Sequence, residues 1–179
     1  IAGLRRRGYT PEAIRDFCER IGVAKANSTV ESSLLEHCVR EDLQDKVESR
    51  NVVENPIKVV ITNYPDDKTE MVEVENNKNV PEMGMREIPF SNELYVDGDD
   101  FMEVPAKKYF RLFPGNEVRF KGAYFIKCEE VIKNEDGSIK ELHCTYDPAT
   151  RSGLDFTERK VKCTIHFVDA KTAVQIKIR

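Results

Sequence analysis

The chain has 179 residues, 40% of them hydrophobic and 34% charged, with a formal net charge of −4. That length buries a sizeable core, and no apolar run approaches the roughly 20 residues a bilayer crossing needs, which argues against a membrane protein and for the cytoplasm. Net acidity speaks against nucleic acid only if the charge is evenly spread, and it is not. Residues 151–179 hold Arg151, Arg159, Lys160, Lys162, Lys171, Lys177 and Arg179 against Asp155, Glu158 and Asp169, while the acids gather at 41–48, 66–75 and 97–103.

The first residue is Ile1, and "IAGLRRRGYT" reads as an internal stretch of a longer protein. Thr10 is a good N-cap and Pro11 suits the first helical position. Ile14, Phe17, Cys18 and Ile21 then follow helical spacing as far as Gly22. Ser28 with Glu31 predicts a capping box for a second helix, whose apolar face is Val30, Leu34, Leu35, Cys38 and Val39. After Pro56 the period changes from 3.6 to 2. Alternating or β-branched runs recur through "IKVVITNY", "EMVEVE", "NELYV", "EVRFKGAYFIKCEEVIK", "SIKELHCTY", "RKVKCTIHFV" and "TAVQIKIR", with turn-rich stretches between them. Asp136-Gly137 predicts a hairpin. The pattern predicts an antiparallel β-barrel or sandwich from 56 to 179 behind a helical segment of residues 1–55.

Alternation also sorts the side chains by face. Val161, Cys163, Ile165 and Phe167 form an inner row, so Lys160, Lys162, Thr164 and His166 face out. Arg119, Lys121 and Lys127 share one side of their strands. Val174, Ile176 and Ile178 point in, leaving Gln175, Lys177 and Arg179 outside. In "MREIPF", however, Arg86 shares its face with Ile88 and Phe90, the direction a core would take.

No phosphate loop, dinucleotide fingerprint, nucleophile elbow or zinc-protease helix occurs, and His37, His143 and His166 have no catalytic neighbours in sequence. Five cysteines without a C-x-x-C pair suit a reducing compartment. Cys163 and His166 lie three apart, on opposite faces of a strand, so they share no metal without a bulge. Nothing here supports catalysis. A basic face interleaved with Tyr109, Phe110, Phe120, Tyr124 and Phe125 matches single-stranded RNA, whose bases can stack and hydrogen-bond. A solvated lysine face, or a non-catalytic barrel docking an acidic protein, is the competing reading.

The stretches "GLRRRGYTPEAIRDFC", "PEMGMREIPFSNELYVDGDDFMEVPAKKYFRLFPGNEVRFKGAYFIKCEEV", "CTYDPATRSG" and "RKVKCTIHFV" resemble the C-terminal half of glutaminyl-tRNA synthetases. Archaeal and eukaryotic glutamyl-tRNA synthetases share the same barrel. The resemblance implies the end of a helical connecting subdomain at 1–55 and a proximal anticodon-binding barrel at 56–179, with the distal barrel largely missing. It implies a class I enzyme in which a separate catalytic domain, with HIGH-like and KMSKS-like motifs absent here, joins glutamine to its tRNA. ATP and magnesium would serve that domain, and this segment alone would be inactive and hold no cofactor.

The implied partner is glutamine-specific tRNA, bound by a monomer, with neither DNA nor membrane involved. The implied tRNA-binding residues are Arg86, Arg119, Lys121, Lys160, Lys162 and Arg179. Arg86 would then sit at the barrel mouth, reading a base edge, unless it pairs with Glu82 or Glu87 instead. Arg5, Arg6 and Arg7 would face the tRNA or the catalytic domain, or form salt bridges there. Cys163 stands where the family pattern has Gly, Phe167 where it has Trp, and "AVQIKIR" replaces a Pro-containing strand.

Overall fold

The computed structural model describes residues 2–25, 27–154 and 159–177. They fall into two compact units, Ile1–Ser49 with Glu75–Gly84, and Arg50–Val74 with Met85–Arg179.

The first unit is helical: α1 (Ala2–Arg6), α2 (Pro11–Ile21) and α3 (Ser32–Gln44). The predicted start and stop of α2 hold. Thr10 Oγ1 accepts from the Ala13 N–H at 3.2 Å, and Gly22 ends the helix at φ +67° with its N–H on the Cys18 carbonyl. Helices α2 and α3 pack through Ala13 and Cys38, both buried, and Arg20 spans Asp16 (2.9 Å) and Glu41 (2.5 Å) across their polar edge. Asn77 closes the end of α3, its Nδ2 donating to the carbonyls of Gln44 (2.8 Å) and Val47 (2.9 Å), which a helix end leaves unpaired. The capping box is a correction. Helix α3 starts four residues after Ser28, with Glu31 at the cap position making no side-chain cap bond and accepting instead from Ser33 Oγ. Val30 is exposed, so no burial rewards extending the helix through the β-branched Thr29 and Val30.

The second unit is built from β1 (Pro56–Ile61), β2 (Glu70–Glu75), β3 (Met85–Phe90), β4 (Glu93–Asp97), β5 (Glu117–Phe120), β6 (Phe125–Lys133), β7 (Ile139–Asp147), β8 (Thr164–Ile165) and β9 (Val168–Asp169). Strands β2 and β3 make a two-stranded sheet. The other seven form one sheet in the order β8-β5-β6-β7-β1-β4-β9. Most pairings are antiparallel, as the hairpin signals predict, but β1 with β7 and β5 with β8 run parallel. The two outermost strands are halves of one segment, separated only by His166 and Phe167. Because β8 bonds to β5 and β9 to β4, that short segment ties the two ends of the sheet together and the sheet curls into a barrel.

Alternation places the core as expected. Val59, Ile61, Leu94, Val96, Val118, Phe120, Ile126, Cys128, Leu142, Cys144 and Phe167 all point inward and are buried. Phe167 stacks on Phe120 (centroids 5.5 Å) and meets Phe90 edge-on (5.5 Å). Near one end, Glu70 Oε1 accepts from both Tyr64 (2.8 Å) and Tyr124 (2.9 Å). Burial, reinforced by that bond, pushes the Tyr124 phenol up to about 12, so it stays a donor at neutral pH. The β6–β7 hairpin turns through Asn134–Gly137. The Gly137 N–H bonds to the Asn134 carbonyl at 3.0 Å and Gly137 takes φ +83°, a three-residue loop whose last position favours glycine.

Two expectations near the C-terminus are corrected. "RKVKCTIHFV" is not one long strand but the two short ones, β8 and β9, although Ile165 and Phe167 still face the core. Described residues 172–177 of "TAVQIKIR" form no strand, and Val174 and Ile176 are 82% and 60% exposed. The sheet edge at β4 is already occupied by β9, so this segment has no partner there to supply ladder hydrogen bonds. Ile178 and Arg179 lie outside the described residues. No helix among the described residues is long and apolar enough to cross a membrane.

Candidate nucleic-acid interface

Arg119 lies on β5, Lys121 directly follows that strand, and Lys160 and Lys162 precede β8. Arg119 on β5 lies opposite Phe125 on β6. Phe125 is only 2% exposed although it stands outside the central core cluster. Its cover is cationic: the guanidinium carbon of Arg119 is 4.2 Å from the ring centroid and that of Arg159 is 5.4 Å away. Such stacking suits a planar, weakly hydrated guanidinium. Arg119 Nη1 also donates to the Thr150 carbonyl at 3.0 Å, and Thr150 Oγ1 accepts from the Phe125 N–H at 2.8 Å. Arg159 pairs with Asp147 and, at 3.4 Å, with Glu117. Two guanidiniums are thereby held in place on one aromatic ring at the surface.

The lysines follow from the neighbouring backbone. The Arg119 N–H donates to the Cys163 carbonyl (3.0 Å), and Arg119 is in register with Thr164, so Lys162 comes from the segment alongside. Lys162 is exposed, and its Nζ stands 4.7 Å above the centroid of the Phe110 ring. Lys160 is exposed two residues before it. Lys121 follows β5 and is half-buried, its N–H donating to the Ile165 carbonyl at 2.9 Å. The tight turn beyond it depends on Gly122, at φ +77°.

Arg86 is set apart from this group. It is the second residue of β3, and burial deepens along its face from half-buried Arg86 through Ile88 to fully buried Phe90. The charge points with the apolar residues, at the end of the row where the core thins out. Arg86 lines a cavity of about 210 Å³ with Arg50, Asn51, Phe167, Asp169 and Thr172, among others. Asp169 is buried there, accepting from Ser91 Oγ (2.5 Å), Thr172 Oγ1 (2.8 Å) and the Thr172 N–H (3.0 Å). Of the six expected residues, the fold therefore groups Arg119, Lys121 and Lys162 on adjoining backbone, with Lys160 leading in. It puts Arg86 in a separate cavity, and Arg179 lies outside the described residues. Sequence pattern does not single out Arg50 or Arg159. Arg50 sits in a stretch with no period to assign it a face, and Arg159 reaches Phe125 from a loop. Arg5, Arg6 and Arg7 are exposed at α1 in the helical unit.

A larger cavity of about 480 Å³ is lined by Glu54, Asp97, Asp99, Asp100, Arg111, Cys163 and His166, among others. Several of its groups already have partners. Asp97 accepts from the N–H groups of Glu54 (3.0 Å) and Asp99 (3.1 Å), bonds that hold its carboxyl below the usual range. Burial raises Asp100, which pairs with Arg111 at 2.7 Å. His166 Nε2 lies 2.7 Å from the Val52 carbonyl. Among the described residues no three His, Cys, Asp or Glu side chains converge on a metal-binding arrangement.

Residues 50–147 match the family model described as tRNA synthetases class I (E and Q), anti-codon binding domain. Three curated relatives named glutamine–tRNA ligase align with the whole chain: those of Clostridium perfringens (60% identical), Clostridioides difficile (59%) and Nitrosomonas europaea (48%). The chain spans 32% of the length of each.

Proposed function

Because the chain belongs to the family of class I (E and Q) tRNA synthetase anticodon-binding domains, we propose that it grips the anticodon loop of tRNA on behalf of a glutamine–tRNA ligase. The names of the relatives favour glutamine over glutamate. On this reading the helical unit is the end of the connecting subdomain and the β unit the proximal anticodon barrel. Chemistry that uses ATP and magnesium belongs to a catalytic domain elsewhere in a longer, monomeric, cytoplasmic protein.

The observation that carries the reading is the outer sheet face, where Arg119 and Arg159 are stacked on Phe125 beside Lys121, Lys160 and Lys162. Pre-ordered guanidiniums suit bidentate contact with phosphate or base edges, while exposed lysines grip phosphates as point charges. The cavity at Arg86 supports a second, separate contact in which a splayed-out base meets a guanidinium among Phe167 and Ile88.

The test is the binding of glutamine-accepting tRNA to the complete protein over a range of salt. Log affinity should fall linearly with log salt, and Arg86→Ala should weaken binding by about 1 to 3 kcal/mol. Unchanged affinity would remove Arg86 from the interface. No tRNA binding even at low salt would overturn the reading.

A further inference from the structure

Phe110 is a large aromatic residue that the core does not use. It is 46% exposed, yet the backbone on either side of it is pinned. The Leu112 N–H donates to the Asp100 carbonyl (3.0 Å) and the Met102 N–H to the Leu112 carbonyl (3.1 Å), while Arg111 holds Asp100 at 2.7 Å. On the N-terminal side the Tyr109 N–H closes a turn onto the Ala106 carbonyl at 3.0 Å. An exposed ring on a fixed backbone is a platform, and its visible contact is the Lys162 ammonium, 4.7 Å from the centroid. That is well inside the range for cation–aromatic attraction.

We propose that Phe110 is a positioning residue for RNA: its ring holds the Lys162 ammonium at the edge of the Arg119 face as a pre-placed phosphate contact. The proposal rests on the anticodon-loop reading above. A free lysine loses rotamer freedom when it engages a phosphate, and one already resting on a ring has lost much of it beforehand. The contact with the ring leaves N–H donors of the ammonium for a ligand, since a lysine has three. Lys162 has no carboxylate partner among the described residues, and its backbone neighbour Cys163 is bonded to Arg119, so the pair extends the cationic strip. A polyanion fits that strip better than a single carboxylate.

The experiment is a double-mutant cycle on the full chain, read out as affinity for an anticodon stem–loop RNA of the glutamine-accepting type. Phe110→Leu should bind about threefold more weakly, as expected for loss of one exposed cation–aromatic pair. Phe110→Tyr, which keeps the ring, should bind like the parent chain. On a Lys162→Ala background, Phe110→Leu should cost nothing further, because the group it positions is gone. Parent-like affinity of Phe110→Leu would overturn the proposal. So would an equal loss on both backgrounds, which would mean that the ring meets the RNA itself or only supports the fold. If the parent chain fails to bind the RNA at low salt, the anticodon-loop reading falls and this proposal with it.

Discussion

At the scale of single residues, the barrel's tightest tolerance is at Gly122. Its φ of +77° already disfavours any side chain, and a Cβ there would lie 2.6 Å from the Glu73 carbonyl oxygen and 2.8 Å from Val74 Cγ1. The first obstacle is backbone, so the clash cannot be relieved by turning a side chain. Gly122→Ala should therefore destabilise the chain by about 2 kcal/mol or more, adding the left-handed penalty to the collision. Denaturant unfolding measures this, and an unchanged midpoint would show that the turn is laxer than it looks. Lys121 is the adjacent residue, so on the proposed anticodon-loop reading the same variant should also weaken RNA binding. Arg86 teaches a different lesson at this scale. A charge can share the core-facing side of a strand where the strand's end coincides with the thinning of the core, because the stem can pack on apolar neighbours while the head lies beyond them.

Among elements, α2 is nearly self-specified. Its cap, its proline and its terminal glycine are local signals, and each makes the contact its type makes in isolated helices. Thr10 also links the two helices, its hydroxyl donating to Asp42 on α3 at 2.5 Å. Thr10→Ala should accordingly cost about 1 to 2 kcal/mol, toward the upper end for a lost N-cap, and Thr10→Ser should recover most of it. Urea unfolding monitored by helical circular dichroism separates the two, and equal stability of all three proteins would deny the cap any weight. Helix α3 is less locally defined. Its start lies beyond the Ser28 signal, with Thr29 and Val30 exposed, so little burial would reward an earlier start. An amphipathic pattern sets a face, and burial of that face decides where the helix begins.

For the molecule as a whole, the decisive feature is closure of the sheet through His166–Phe167. Phe167 sits where one segment leaves β5 and joins β4, and its ring bridges Phe120 on β5 and Phe90 on β3. Truncating it should open a cavity and loosen both edges together. Phe167→Ala is expected to lose about 3 to 5 kcal/mol, and amide exchange in β8 and β9 should accelerate together. Protection retained in one of the two strands would indicate that they are stabilised independently. On the proposed anticodon-loop reading, the same closure also assembles the cationic face. By bonding β8 to β5, it brings the Lys160–Lys162 segment beside Arg119, residues that lie far apart in the chain.

The sequence by itself determined the helical pair, the switch to period two after Pro56, the β6–β7 hairpin and which side of each strand is apolar, because these depend on neighbours within a few residues. It also marked Arg119, Lys121, Lys160 and Lys162 as sharing outward faces. Only the tertiary structure decided that "RKVKCTIHFV" breaks into two strands, that two pairings run parallel, and that Val174 and Ile176 stay exposed without a ladder. It alone placed Arg159 on Phe125, Lys162 on Phe110, and Arg86 in a cavity with Arg50. Strand partners and cation–aromatic contacts join residues distant in the chain, and a period read along one strand says which way a side chain faces but not what stands opposite it.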